Sequence, residues 1–153
     1  MKQVYYVSEA GLNKLKEEQA HRMTVVRKHI SEAIGSAKEQ GDLSENFEYQ
    51  DAKERQAENE TRLIELNEMI ARAVVVSSET GGSEIRIGTT FKTEINGTEK
   101  MFELVGATES DPMAGKISHE SPIGMAFLGK AVGDEVSVAV PSGTMTYKIV
   151  SIQ

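Results

Sequence analysis

The sequence predicts an α+β chain: an N-terminal antiparallel coiled-coil hairpin, then a small antiparallel sheet domain with one short helix. Three observations predict it. Residues 8 to about 76 hold only Gly11, Gly35 and Gly41, and no proline. Small and apolar residues recur there at steps of three and four on both sides of a single break. From Gly81-Gly82 onward the pattern shortens, and turn signals separate short alternating runs.

The first arm sets Leu12, Leu15, Gln19, Met23, Val26, Ile30, Ala33 and Ala37 on one stripe. The second sets Ala52, Gln56, Asn59, Leu63, Leu66, Ile70 and Ala73 on another. Two such stripes form a coiled-coil seam. They meet at Glu39-Gln40-Gly41-Asp42-Leu43-Ser44, where Gly41 can take the left-handed conformation of a turn. Toward the break the seam carries Ala37, Ala52, Gln56 and Asn59, which bury little area, so that half of the hairpin is expected to be the less stable. The expected organisation is a hairpin over residues 1–77 with its tip at about 39–46, a linker at 78–83, and a sheet domain over 84–153.

In that second domain, Ile87 to Ile95 reads as a strand ending at Asn96-Gly97, a strong hairpin signal. Lys100 to Val105 returns, and Lys116 to His119 is a further strand. Ser121 caps a short helix from Pro122 to Leu128, with proline at its first position. Glu135 to Val140 and Thr144 to Ile152 flank Pro141-Ser142-Gly143 as a last hairpin.

Composition narrows the function. The chain has 153 residues, no cysteine and no tryptophan. A thiol nucleophile and a cysteine zinc site are therefore excluded, and a reducing cytoplasm fits. No targeting segment and no run of the ~20 apolar residues that a membrane helix needs is visible. The net charge of −7 argues against broad, non-specific nucleic-acid binding.

The tip holds the most distinctive chemistry. Between Lys38 and Lys53 stand five acids and no base: Glu39, Asp42, Glu45, Glu48 and Asp51. Crowded carboxylates suit a hard divalent cation, and magnesium takes only one or two from a protein. Asp42 and Glu45 can thus complete a site shared with a partner. Asp42-Leu43-Ser44-Glu45 equally fits a capping box, and acids in a first helical turn favour the helix dipole. Lys38, Lys53 and Arg55 flank the tip and fit a solvated face as well.

Gly41-Asp42-Leu43-Ser44-Glu45-Asn46-Phe47-Glu48-Tyr49, followed by Ala52-Lys53-Glu54, resembles the tip motif of bacterial transcript-cleavage factors of the GreA/GreB family. Ser121-Pro122-Ile123-Gly124 and Leu128-Gly129-Lys130 resemble that family's second signature. The resemblance covers nearly the whole chain. Two positions depart from the common pattern: Ser44 stands where many tips have lysine, and Phe47 where alanine is common.

The resemblance implies a factor that is not itself an enzyme. It inserts its tip into the secondary channel of bacterial RNA polymerase and stimulates cleavage of backtracked RNA. Asp42 and Glu45 match the acidic pair that helps to hold a weakly bound Mg2+ at the polymerase active centre; the chain has no cofactor of its own. Lys38 and Lys53, with Arg55 as a looser member, match a basic patch facing the RNA 3′ end. Ser121, Pro122 and Ile123 match the docking surface of an FKBP-like domain on the channel rim. A cytoplasmic protein, monomeric when free, is implied, and its sparse basic patch leans toward the GreA type. Three alternatives remain open at this stage: a channel-binding inhibitor of the polymerase, an FKBP-like prolyl isomerase or chaperone, and a plain coiled-coil adaptor.

Overall fold

The computed structural model describes residues 3–41, 46–77 and 82–153. Its contacts form two compact units: Asn13–Arg72, and Met1–Leu12 together with Ala73–Gln153. The N-terminal residues thus group with the sheet residues. The reason is a pair of short strands. β1 (Tyr5–Val7) pairs in parallel with β2 (Ala73–Val75), in the register Tyr5↔Ala73 to Val7↔Val75. The helical pattern expected to run to about 76 accordingly ends at Ala71. The run Val74-Val75-Val76 explains the switch, because β-branched side chains fit a pleated surface better than a helix.

The helical unit contains most of α1 (Glu9–His21), a π-helical turn over Arg22–Val26, α2 (Arg27–Glu39) and α3 (Phe47–Ala71). Leu15, Ile30 and Ala37 of the first arm are buried, as are Ala52, Asn59, Leu63 and Leu66 of the second. Most of the expected seam is present. Met23 is the exception, at 48% exposure. The π turn explains it: Arg27 N–H donates to the Arg22 carbonyl, five residues back instead of four. The extra residue turns the inward face back by one position. Arg22 replaces Met23 there and donates from Nη1 to Asn59 Oδ1 at 3.1 Å. Asn59 Nδ2 returns a bond to the Arg22 carbonyl at 3.4 Å. Glu18 accepts from Arg22 Nε at 2.9 Å and from Arg62 Nε and Nη2 at 2.9 and 3.1 Å. A polar layer thus crosses the hairpin between the buried Leu15 and Leu66 on one side and the buried Ile30 on the other.

The second unit is built on a five-stranded sheet in the order β5-β4-β3-β7-β6. Its strands are β3 (Thr90–Ile95), β4 (Thr98–Val105), β5 (Lys116–Ser118), β6 (Glu135–Val140) and β7 (Gly143–Ile152). All neighbours are antiparallel except β4 and β5, which run parallel. The expected tight turn between β3 and β4 is present, with Asn96 and Gly97 both left-handed at φ 51° and 78°, as a two-residue hairpin loop of the primed type requires. One face of the sheet is covered by α4 (Pro122–Phe127), whose Phe127 is fully buried with its ring 4.9 Å from that of Phe91.

β1 joins this unit by close backbone approach. A Cβ on Gly106 would lie 1.6 Å from the Tyr6 carbonyl oxygen, so only glycine fits. Ser8 then starts α1: its Oγ accepts from Gly11 N–H at 3.0 Å, and its own N–H donates to Glu109 Oε2 at 2.8 Å. Among the described residues no helix is long and apolar enough to cross a membrane.

Candidate functional site at the hairpin turn

α2 closes in a single turn of backbone. Gln40 N–H donates to the Ala37 carbonyl at 3.2 Å and Gly41 N–H to the Lys38 carbonyl at 3.4 Å. Gly41 sits at φ 109°, a conformation that side-chain-bearing residues avoid. Asp42 and Glu45, the expected acidic pair, lie outside the described residues, as do Leu43 and Ser44.

α3 begins on Asn46. Its Oδ1 accepts from Tyr49 N–H at 3.1 Å, and its Nδ2 donates to the Ala37 carbonyl at 2.7 Å. One side chain therefore caps the second arm and ties it to the end of the first. This bears on the capping-box alternative: the cap of α3 is Asn46, not Asp42, and the helix begins after Glu45.

The basic residues divide between two flanks. On α2, Ser31 and Lys38 are seven residues apart and share a face, as do Lys53 and Glu60 on α3. Ser31 and Glu60 line one groove between the arms, together with Arg27 and Gln56. Lys38 and Lys53 therefore stand on the same flank, and Lys53 Nζ donates to Gln56 Oε1 at 2.9 Å. Arg55 is two residues from Lys53, about 200° around the helix. It lines the other groove with Arg22, His29 and Arg62. Its guanidinium pairs with Asp51 at 3.0 Å. The structure thus brings Lys38 and Lys53 to one side and does not bring Arg55 to them.

The three residues of the second signature sit at the start of α4. Ser121 Oγ accepts from Gly124 N–H at 3.1 Å and donates to the Ser118 carbonyl at 2.7 Å. Pro122 is exposed, and Ile123 is half-buried against the core. Of the three, only Pro122 is exposed.

The N-terminal family model for transcription elongation factors matches residues 5–75, and the C-terminal GreA/GreB model matches residues 79–153. The chain belongs to the GreA/GreB family of transcription elongation factors. It is 44% identical over 151 residues to transcription elongation factor GreA of Roseiflexus castenholzii, covering 97% of this chain and 96% of that protein. Against GreA of Bacillus licheniformis the identity is 45% over 152 residues, with 97% and 96% covered. Among solved structures, GreA factor homolog 1 of Thermus thermophilus aligns at 26% identity with a TM-score of 0.43, covering 99% of each chain.

One feature of this GreA/GreB-family tip escapes the pattern of the sequence, and a second is carried by it. Asn46 is one of the residue types that cap helices, but its second bond, to the opposite arm, follows only from the closed hairpin. The separation of Lys53 from Arg55 was accessible to helical arithmetic, since adjacent charges in sequence are not adjacent on a helix.

Proposed function

We propose that this chain stimulates the RNA-cleaving activity of bacterial RNA polymerase. It would enter the secondary channel with the Gly41–Asn46 turn leading and rescue complexes whose RNA 3′ end has backtracked. One observation carries the reading. Asn46 caps α3 at Tyr49 N–H and fastens it to the Ala37 carbonyl, so the two arms are tied together on either side of the segment that carries Asp42 and Glu45 in the sequence.

Asp42 and Glu45 would hold a magnesium ion jointly with the polymerase. Their chemistry fits: two hard carboxylate oxygens are a usual protein share of a magnesium shell, the rest being water and partner groups. When bound, such an ion supplies charge neutralisation at the scissile phosphate and an activated water. The remaining work belongs to this chain's own residues. Asn46 fixes where the turn sits on the two arms. Lys38 and Lys53, on one flank, would attract the RNA backbone as it leaves the active centre. Pro122 and its neighbours at the start of α4 would meet the channel rim.

The test uses purified polymerase in a defined backtracked complex. The protein is expected to accelerate magnesium-dependent release of a short 3′ RNA fragment. Asp42→Asn and Glu45→Gln are each expected to remove the acceleration while still competing with the parent protein for polymerase. Binding without acceleration by the parent would instead favour a channel-blocking inhibitor. Full acceleration by both variants would remove the metal role.

A further inference from the structure

Phe47 is the first residue of α3 and is 83% exposed. It points away from the partner arm: the nearest seam residue, Ala52, is about 140° around the helix. Within the first two turns its face holds only Gln50, Asp51 and Glu54, so no apolar side chain of α3 is placed to cover it there. Its position is fixed all the same, because the Asn46 bonds anchor the start of the helix on which it sits.

We propose that Phe47 is a stacking residue, whose ring takes the face of an unpaired base at the RNA 3′ end. This rests on the functional reading above. A lone exposed hydrophobic residue is ordinary on a protein surface. Its surroundings are what select the occupant. Acids are depleted from the centres of protein–protein contacts, and Asp51 and Glu54 share this face. A base needs no apolar surround, since every base offers a π face to an aromatic ring. Single-stranded RNA is commonly held in this way, with its bases splayed out onto phenylalanine or tyrosine. Phe47 also follows Glu45 by only two residues in the sequence. A base held on the ring would bring its phosphate to the same end of the hairpin as the carboxylates, with no new bond made or broken.

The test compares the full-length protein with Phe47→Ala, Phe47→Leu and Phe47→Tyr on backtracked polymerase complexes. The RNA ends either in a normal nucleotide or in an abasic one. Stacking contributes about 1–3 kcal/mol per base, so Phe47→Ala should slow cleavage of normal RNA about 5- to 150-fold. Phe47→Tyr should keep the parent rate and Phe47→Leu should not. On abasic RNA the parent should fall to the level of Phe47→Ala. An unchanged rate for Phe47→Ala would overturn the proposal, as would an equal deficit on both RNAs. Rescue by leucine as good as by tyrosine would mean that the ring meets an apolar protein surface, and would overturn it too. A parent protein that stimulates no cleavage sinks the functional reading and Phe47's role with it. An active parent indifferent to Phe47→Ala sinks the stacking role alone.

Discussion

Asn46 Nδ2 donates to the Ala37 carbonyl at 2.7 Å, so a residue that starts one arm of the hairpin also closes the end of the other. The Ala37 carbonyl lies in the last turn of α2, where Gln40 N–H reaches it at 3.2 Å, and Asn46 gives it a second, shorter bond. Asn46→Ala removes this bond and the cap on Tyr49 N–H together. It should destabilise the start of α3 by about 0.5–2 kcal/mol. Asn46→Asp keeps the acceptor for Tyr49 N–H but loses the donor to Ala37, and should fall between the two. Amide hydrogen exchange over residues 47–50 reads the effect. Equal protection in all three proteins would show that the bond between the arms contributes nothing.

The polar layer predicts an acid sensitivity. The hydrogen bond from Arg62 is the largest influence on Glu18, opposed by partial burial and then reinforced by Arg22; together they lower its carboxyl from the usual 4.5 to about 2. Arg62 is correspondingly raised. A carboxyl with a depressed folded-state pKa stabilises the fold fully above its unfolded value. That contribution is lost as pH falls from about 4.5 toward 2. Glu18 is about a third exposed, so solvent screening trims the contribution to roughly 1–2 kcal/mol. Glu18→Gln should be less stable than the parent by that amount at pH 7, and the gap should close near pH 2. Helical unfolding followed by circular dichroism at several pH values checks it; a gap that does not depend on pH would mean lost packing, not lost charge.

The two flanks of the hairpin predict different consequences for two neighbouring bases. Lys53→Glu reverses charge on the flank it shares with Lys38. It should weaken the response to long backtracked RNA more than to short. Arg55→Glu reverses charge on the other flank and also breaks the pair with Asp51. It should lower helix stability by only about 0.3–0.5 kcal/mol, the usual contribution of such a pair, and leave the RNA-length response near that of the parent. Cleavage rates measured on complexes backtracked by different distances separate the two. Equal effects from both variants would dissolve the distinction between the flanks.

Most of the architecture was legible in the sequence, and the failures have local causes. The spacing of Leu15, Ile30, Leu63 and Leu66 revealed the hairpin, because a seam with few alternatives leaves a clear period. Asn96-Gly97 revealed its turn, because few residue pairs can be left-handed twice in succession. Met23 was misplaced because nothing in its period announces a π turn; the turn is stabilised by Arg22 reaching Asn59 in the opposite arm. The strands over 5–7 and 73–75 lie within the stretch expected to be hairpin; each is too short to show a period and they are far apart in sequence. At the site, the sequence offered Asp42 both as cap and as ligand. The cap falls to Asn46 because its amide both accepts from Tyr49 N–H and donates to Ala37, whereas a carboxylate can only accept.

The start of α4 separates a folding role from a docking role within four residues. A Cβ on Gly124 would lie 1.9 Å from the Ser118 carbonyl oxygen, which is backbone and cannot swing aside. Gly124→Ala must therefore push α4 away from the end of β5 and loosen Phe127 from the rings it packs on. The expected loss is about 1–3 kcal/mol, as for other overpacked sites. Pro122 is exposed and makes no comparable contact, and an acid at the first helical position suits the helix dipole. Pro122→Glu should leave the urea midpoint of unfolding within error of the parent. If this end of α4 meets the polymerase, the same variant should need a higher concentration for half-maximal cleavage with an unchanged maximal rate. Unfolding curves and cleavage titrations on the two variants decide the matter: normal half-maximal concentrations for Pro122→Glu would move the docking surface elsewhere on the sheet unit.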